Sequence, residues 1–212
     1  MSRGDQLTTT SYAILGLLSL RDWSTYELAQ QMTRSMRLWW PRAESRIYEE
    51  PKRLVRLGLA TSTDEGKGRR PRTVYTITDA GRQALRDWVA KPAGIFQMEF
   101  EAMLKIFFAD QGSKADLLAN ITAVRDAAEA ELEHGKTFAR EYLADGGPFP
   151  NRLHIIALVV SLYEELLNAT HEWAEEALDQ VQDWPNTRQG TDPLSLFQRV
   201  LTRPSPAETH DS

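Results

Sequence analysis

The sequence predicts a mainly α-helical protein with a small β-hairpin, divided into a helix-and-hairpin N-terminal part and an all-helical C-terminal part. Three observations carry this reading. Apolar residues recur at helical spacing through most of the 212 residues, while Thr73 to Thr78 is instead β-branched and aromatic. The sign of the charge also reverses near residue 92. Residues 1–92 hold 16 Lys and Arg against 10 Asp and Glu, and residues 93–212 hold 9 against 20, so a net charge of −5 conceals a basic part and an acidic part. That polarity suits a polyanion-binding N-terminal part joined to one with another task. The predicted divisions are 1–92, 93–203 and a disordered tail over 204–212.

In the first part, Thr9 to Leu20 forms a short, largely buried helix, with Tyr12, Leu15 and Leu18 on one side and Ile14 and Leu17 widening the apolar face. Ser24-Thr25-Tyr26-Glu27 is a capping box, in which serine and glutamate each satisfy the other's free backbone N–H. It opens a second helix whose inward stripe is Leu28, Ala29 and Met32. A third helical pattern runs from Arg42 to Leu57, with Ile47, Leu54 and Leu57 facing inward and Arg46, Lys52, Arg53 and Arg56 between them. Pro51 within it would kink or divide the helix, because proline cannot donate a backbone hydrogen bond. Gly58 suits a left-handed position after the last turn, with Leu59 closing the contact beyond it. Residues 59–63 and 73–78 read as two strands around the tip Gly66-Lys67-Gly68-Arg69-Arg70-Pro71. A fourth helix opens at Thr78-Asp79-Ala80-Gly81 and runs through Val89.

Three helices, a hairpin and a helix is the order of a winged helix-turn-helix. Its third helix fits a DNA major groove about 12 Å wide, and a basic hairpin tip reaches the flanking backbone.

The chain also resembles the PadR-like transcriptional regulators with an extended helical C-terminal domain. The matching stretches are residues 12–18, Tyr26-Glu27-Leu28, Ile47-Tyr48 with Leu54 and Gly58-Leu59, and residues 74–81. Proline often follows the family's tyrosine directly, whereas here Glu49 follows Tyr48 and the proline is Pro51. The resemblance implies a DNA-binding homodimer, usually a repressor, with the C-terminal helices forming the dimer interface. The expected function is therefore a sequence-specific transcriptional regulator acting on a two-fold-symmetric operator in double-stranded DNA. The alternative is a winged-helix adaptor that scaffolds an assembly through protein contacts; the basic wing argues against it.

Expected DNA contacts follow from position. Ser45, Arg46 and Tyr48 stand near the start of the third helix, the part that meets base edges. Arg42 and Lys52 suit phosphate positioning, and Lys67, Arg69, Arg70 and Arg72 suit backbone contacts from the wing. Tyr48 could instead bury its ring and leave only its hydroxyl outside.

The second part reads as helices throughout. Met98, Met103, Leu104, Ile106, Phe107 and Phe108 form a dense cluster, and a long helix follows through Leu117, Ile121, Val124, Ala128 and Leu132. Gly146-Gly147-Pro148 breaks the chain before a second long helix. There Leu153, Ile156, Val160, Tyr163, Leu167 and Ala174, continuing to Val181, form a stripe expected to serve as the dimer seam. The residues from Asn186 onward are Pro-rich and polar, expected to fray after Val200. Trp88 and Trp173 are candidates to line a pocket between subunits for a small-molecule effector, since aromatic side chains line such sites.

Other classes find no support in the sequence. There is no cysteine for a disulfide or thiolate metal site, no Gly-rich phosphate loop after a strand and no serine elbow. His171-Glu172 lacks the second histidine four residues on that a metalloprotease helix carries. No catalysis, cofactor or membrane partner is expected. The N-terminus lacks a secretion signal, so a cytoplasmic location is the expectation.

Overall fold

Thr8 sets the start of α1 (Thr9–Leu18) with a capping box. Its hydroxyl accepts from the Ser11 N–H, and the Ser11 hydroxyl accepts from the Thr8 N–H. The computed structural model describes residues 6–36, 47–65, 72–96 and 98–202. The chain divides into two compact units, residues 1–96 and 97–212.

In the first unit, α2 (Thr25–Met36), α3 (Glu50–Arg56) and α4 (Asp79–Val89) join α1 around a three-stranded antiparallel sheet. β2 (Ala60–Glu65) and β3 (Arg72–Ile77) form the predicted hairpin, with Ala60 opposite Ile77 and Glu65 opposite Arg72. The third strand, β1 (Trp23–Ser24), is an addition. It pairs with β3, setting Trp23 opposite Tyr75 and Ser24 opposite Val74. Two residues are too short for alternation to reveal a strand. Trp23 is buried, and its indole N–H donates to the Leu17 carbonyl at 2.7 Å, so the strand is anchored from the core. That core is Ile14, Leu15, Leu17 and Leu18 of α1, Leu28 and Met32 of α2, Ile47 and Leu54 around α3, and Tyr75 and Ile77 of β3.

The turn out of α3 follows the glycine signal. Gly58 has φ +72°, the Leu59 N–H donates to the Leu54 carbonyl and the Gly58 N–H to that of Val55. This double closure satisfies two carbonyls that the helix leaves open. Thr78 then ties three elements together: its N–H donates to Leu59, its hydroxyl donates to the Gly58 carbonyl, and that hydroxyl accepts from Gly81 at the start of α4.

The second unit is built on an antiparallel hairpin of α6 (Lys114–Asp145) and α7 (Leu153–Gln182), with α5 (Glu101–Phe107) against α6. Gly146 and Gly147, both at positive φ, make the turn. The core lies at the end away from it, where Leu117, Ile121 and Val124 of α6 meet Ala174, Leu178 and Val181 of α7. Lys114 closes that end by donating from Nζ to the carbonyls of Gln182 and Trp184, at 2.6 and 2.7 Å. A lysine so placed satisfies open carbonyls at a helix C-terminus. Beyond it the chain is helical once more. α8 (Pro193–Thr202) begins with proline in the first turn and repeats Leu194, Phe197 and Leu201 along one side, within the Pro-rich, polar segment expected to fray after Val200. The tail predicted over 204–212 lies outside the described residues.

The stripe expected as the dimer seam is corrected at one end. Ala174 is 0% exposed and belongs to the hairpin's own core. Ile156, Val160, Tyr163 and Leu167 continue the same row at helical spacing and are half-buried, while Leu153 at the start is more open. A neighbouring row, Ile155, Leu158, Val159, Leu162 and Leu166, is exposed. Residues 150–182 are long and apolar enough, by length and composition, to cross a membrane. A helix apolar on more than one side equally suits the interior of a helical assembly.

Candidate nucleic-acid interface

The third helix is shorter than the sequence suggests. Residues 47–49 form a turn and α3 begins at Glu50, with Pro51 in its first turn. An N–H there has no partner within the helix in any case, so Pro51 opens the helix and does not kink it. Its ring is buried, as are the side chains of Leu54 and Ile47, and these mark the inward side of α3.

The outward side carries the chemistry. Tyr48 is 58% exposed, so its ring stands outside the core. Lys52 and Arg56 follow at intervals of four, both exposed, making one outward row. Lys52 pairs with Glu49 at 3.0 Å, an exposed ion pair of small energetic weight that leaves the ammonium accessible to phosphate. Arg56 was not among the expected contacts, although its spacing from Lys52 marks it. On α2 the exposed Tyr26 accepts a hydrogen bond from Gln30 at 2.9 Å and adds a second polar aromatic surface. Arg42, Ser45 and Arg46 lie outside the described residues.

The wing is basic toward its tip. Arg72 pairs with Glu65 across the hairpin at 3.0 Å, and Thr73 donates to Asp64 at 2.9 Å. Both pairs are exposed and sit at the base of the turn. Lys67, Arg69 and Arg70 belong to residues 66–71, outside the described residues.

Local electrostatics hold α2 in place. The Ser24 N–H and hydroxyl both donate to the Glu27 carboxylate, at 2.8 and 2.6 Å, and the Glu27 N–H donates back to the Ser24 hydroxyl. The Ser24 hydroxyl, then its N–H, holds the Glu27 carboxyl below the usual glutamate range. Arg21 adds an ion pair to Glu27 at 3.3 Å and lies over the Trp23 ring at 3.6 Å.

The two tryptophans named as effector-pocket candidates are placed differently. Trp88, on α4, stacks on Tyr12 of α1 within the first unit and is 39% exposed. Trp173 lies on α7 in the second unit and is partly exposed. No group of three or more His, Cys, Asp and Glu residues among those described could hold a metal ion.

A helix-turn-helix with a two-stranded wing, carrying an outward basic row on its third helix, defines a winged-helix protein of the DNA-binding type. Residues 14–87 match the Transcriptional regulator PadR-like family, and residues 100–182 match the family described as Virulence activator alpha C-term. The negative transcriptional regulator PadR of Bacillus subtilis is 32% identical over 127 residues, 58% of this chain and 70% of that protein. The chain belongs to the PadR-like family of transcriptional regulators. Its fold matches the crystal structure of Bacillus subtilis PadR in complex with operator DNA at a TM-score of 0.70 and 26% identity, covering 82% of this chain and 99% of that one. The same protein in complex with p-coumaric acid matches at a TM-score of 0.65 and 26% identity, covering 83% and 100%.

Proposed function

We propose that this regulator is a repressor that binds a two-fold-symmetric operator as a homodimer, and that a small-molecule effector relieves the binding. The observation that carries this reading is the likeness of nearly the whole fold to a relative crystallised on operator DNA. The outward row Tyr48, Lys52 and Arg56 supplies a groove-facing surface, and the basic wing supplies backbone contacts. The exposed apolar row of α7 supports dimerisation, because contiguous apolar surface of this kind marks a contact between chains. Two winged helices on a two-fold axis reach major grooves about one turn, or ~34 Å, apart. The relative's complex with p-coumaric acid supports an effector and makes that acid the first probe to use.

Selection of bound oligonucleotides by the full chain, followed by sequencing, tests the reading. A recovered palindrome, bound with an affinity that falls steeply with salt, is the expected outcome. Binding without sequence preference, or affinity insensitive to salt, would reject it in favour of a protein-contact role.

A further inference from the structure

Three polar side chains lie where α1 meets α3, against the apolar core. Ser11 is 0% exposed and Glu50 4%, beside Ile14, Leu15 and Leu54, which are equally buried. The Ser11 hydroxyl donates to Glu50 Oε1 at 2.5 Å. Arg53 Nη1 donates to the same Oε1 at 2.7 Å and approaches the Ser11 hydroxyl at 3.3 Å. Arg53 Nη2 donates to the Gln6 carbonyl at 2.7 Å, on the segment leading into α1. The Ser11 hydroxyl is also the group that accepts from the Thr8 N–H in the cap of α1. One hydroxyl thus joins the first turn of α1 to the first turn of α3.

Burying an ion pair is a poor way to gain stability, since desolvation offsets most of the attraction and apolar replacements of similar volume often do as well. What hydrogen bonds add is direction. Apolar contact is proportional to area and indifferent to orientation, and α3 has only seven residues and one short buried face with which to resist rotation about its axis. Charge-assisted bonds of 2.5 to 2.7 Å from both ends of the Glu50–Arg53 pair fix that rotation. Rotation of α3 decides where Lys52 and Arg56 stand, and Tyr48 lies in the turn that leads directly into it.

Resting on the reading of α3 as the groove-facing helix, we propose that Ser11, Glu50 and Arg53 are positioning residues for operator discrimination: they touch no base, and they set the angle at which α3 presents the residues that do.

The test uses the full-length chain, the duplex recovered by selection and a random duplex of equal length. In Glu50→Leu with Arg53→Met the pair becomes apolar while the volume is roughly kept; this variant is expected to melt near the wild-type temperature and to lose about tenfold in the ratio of the two affinities, the cost of one misplaced base contact. Its salt slope should stay unchanged on the random duplex. Ser11→Ala leaves the ion pair in place and should lose about threefold of the ratio, a smaller share of the same contact; it decides the matter if the double variant does not fold. Ser11→Ala alone, folded and fully discriminating, overturns the proposal, as does a folded double variant with the wild-type ratio. A wild-type chain that fails to discriminate overturns the reading of α3 and the positioning role with it, and so distinguishes the two failures.

Discussion

Tyr12 and Trp88 stack face to face, with ring centroids 4.8 Å apart and planes 8° from parallel. The contact joins the first and last helices of the DNA-binding unit and occupies one face of a tryptophan that composition alone offered to a ligand. Stacked aromatic pairs contribute about 0.5–1.5 kcal/mol beyond the area they bury. Trp88→Ala should therefore lower the stability of this unit by about 2 kcal/mol once the lost apolar area is included. Trp88→Phe should recover more than half of that loss. Urea unfolding followed by circular dichroism measures both, and an unchanged midpoint for Trp88→Ala would show the stack to be energetically idle.

Gly81 has no room for a side chain. A β-carbon there would stand 2.1 Å from the Leu59 carbonyl oxygen and 2.8 Å from Ile77 Cγ1. The oxygen is backbone, held by the Thr78 N–H, so it cannot swing aside. Gly81→Ala should cost about 3 kcal/mol, the upper range for overpacking, and should lower the melting temperature and DNA affinity together. Gly135, inside α6 with nothing within 4 Å of a β-carbon, is the control. There alanine should stabilise by about 0.5–1 kcal/mol through helix propensity.

Acid should loosen the start of α2. The folded chain holds the Glu27 carboxyl below its ordinary value of 4.5, through the Ser24 hydroxyl first and the Ser24 N–H second. A depressed folded value means stability that is present above 4.5 and lost as pH falls through the lower, folded value. Ser24→Ala should remove about 1 kcal/mol at neutral pH, the usual worth of such a cap. It should also flatten the dependence of stability on pH below 4.5. Parallel acid limbs in the two proteins would place the titration elsewhere.

Substitutions in the two rows of α7 should separate the proposed dimerisation from folding. Leu162 is 64% exposed in one chain, whereas Ala174 is wholly buried. Leu162→Glu should leave the helical signal intact and shift sedimentation from dimer to monomer, with operator affinity falling toward the non-specific level. Ala174→Glu should instead unfold the second unit, because an unpaired carboxylate in that core is costly. Sedimentation and circular dichroism of both variants at equal concentration distinguish the outcomes. A dimeric Leu162→Glu would move the interface to the exposed faces of α5 or α8.

Elements that declare themselves by local chemistry were legible from residues alone. The capping box at Ser24 and Glu27, the left-handed Gly58, the β-branched run of β3 and the breaks at Gly146 and Gly147 each follow from what one or two side chains permit their own backbone. The regular spacing of α6 and α7 likewise announced a helical hairpin. What the sequence by itself could not determine was which surface meets which. Both rows of α7 are largely apolar, and only the packing of α6 against Ala174, Leu178 and Val181 distinguishes the row that ends in the core from the exposed one. Strand β1 exists because β3 lies beside it, and Glu50 is buried because Ser11, thirty-nine residues earlier, stands opposite. Local conformation depends on neighbours in the chain, whereas burial and polar pairing depend on neighbours in space, and those arise only when the helices have packed.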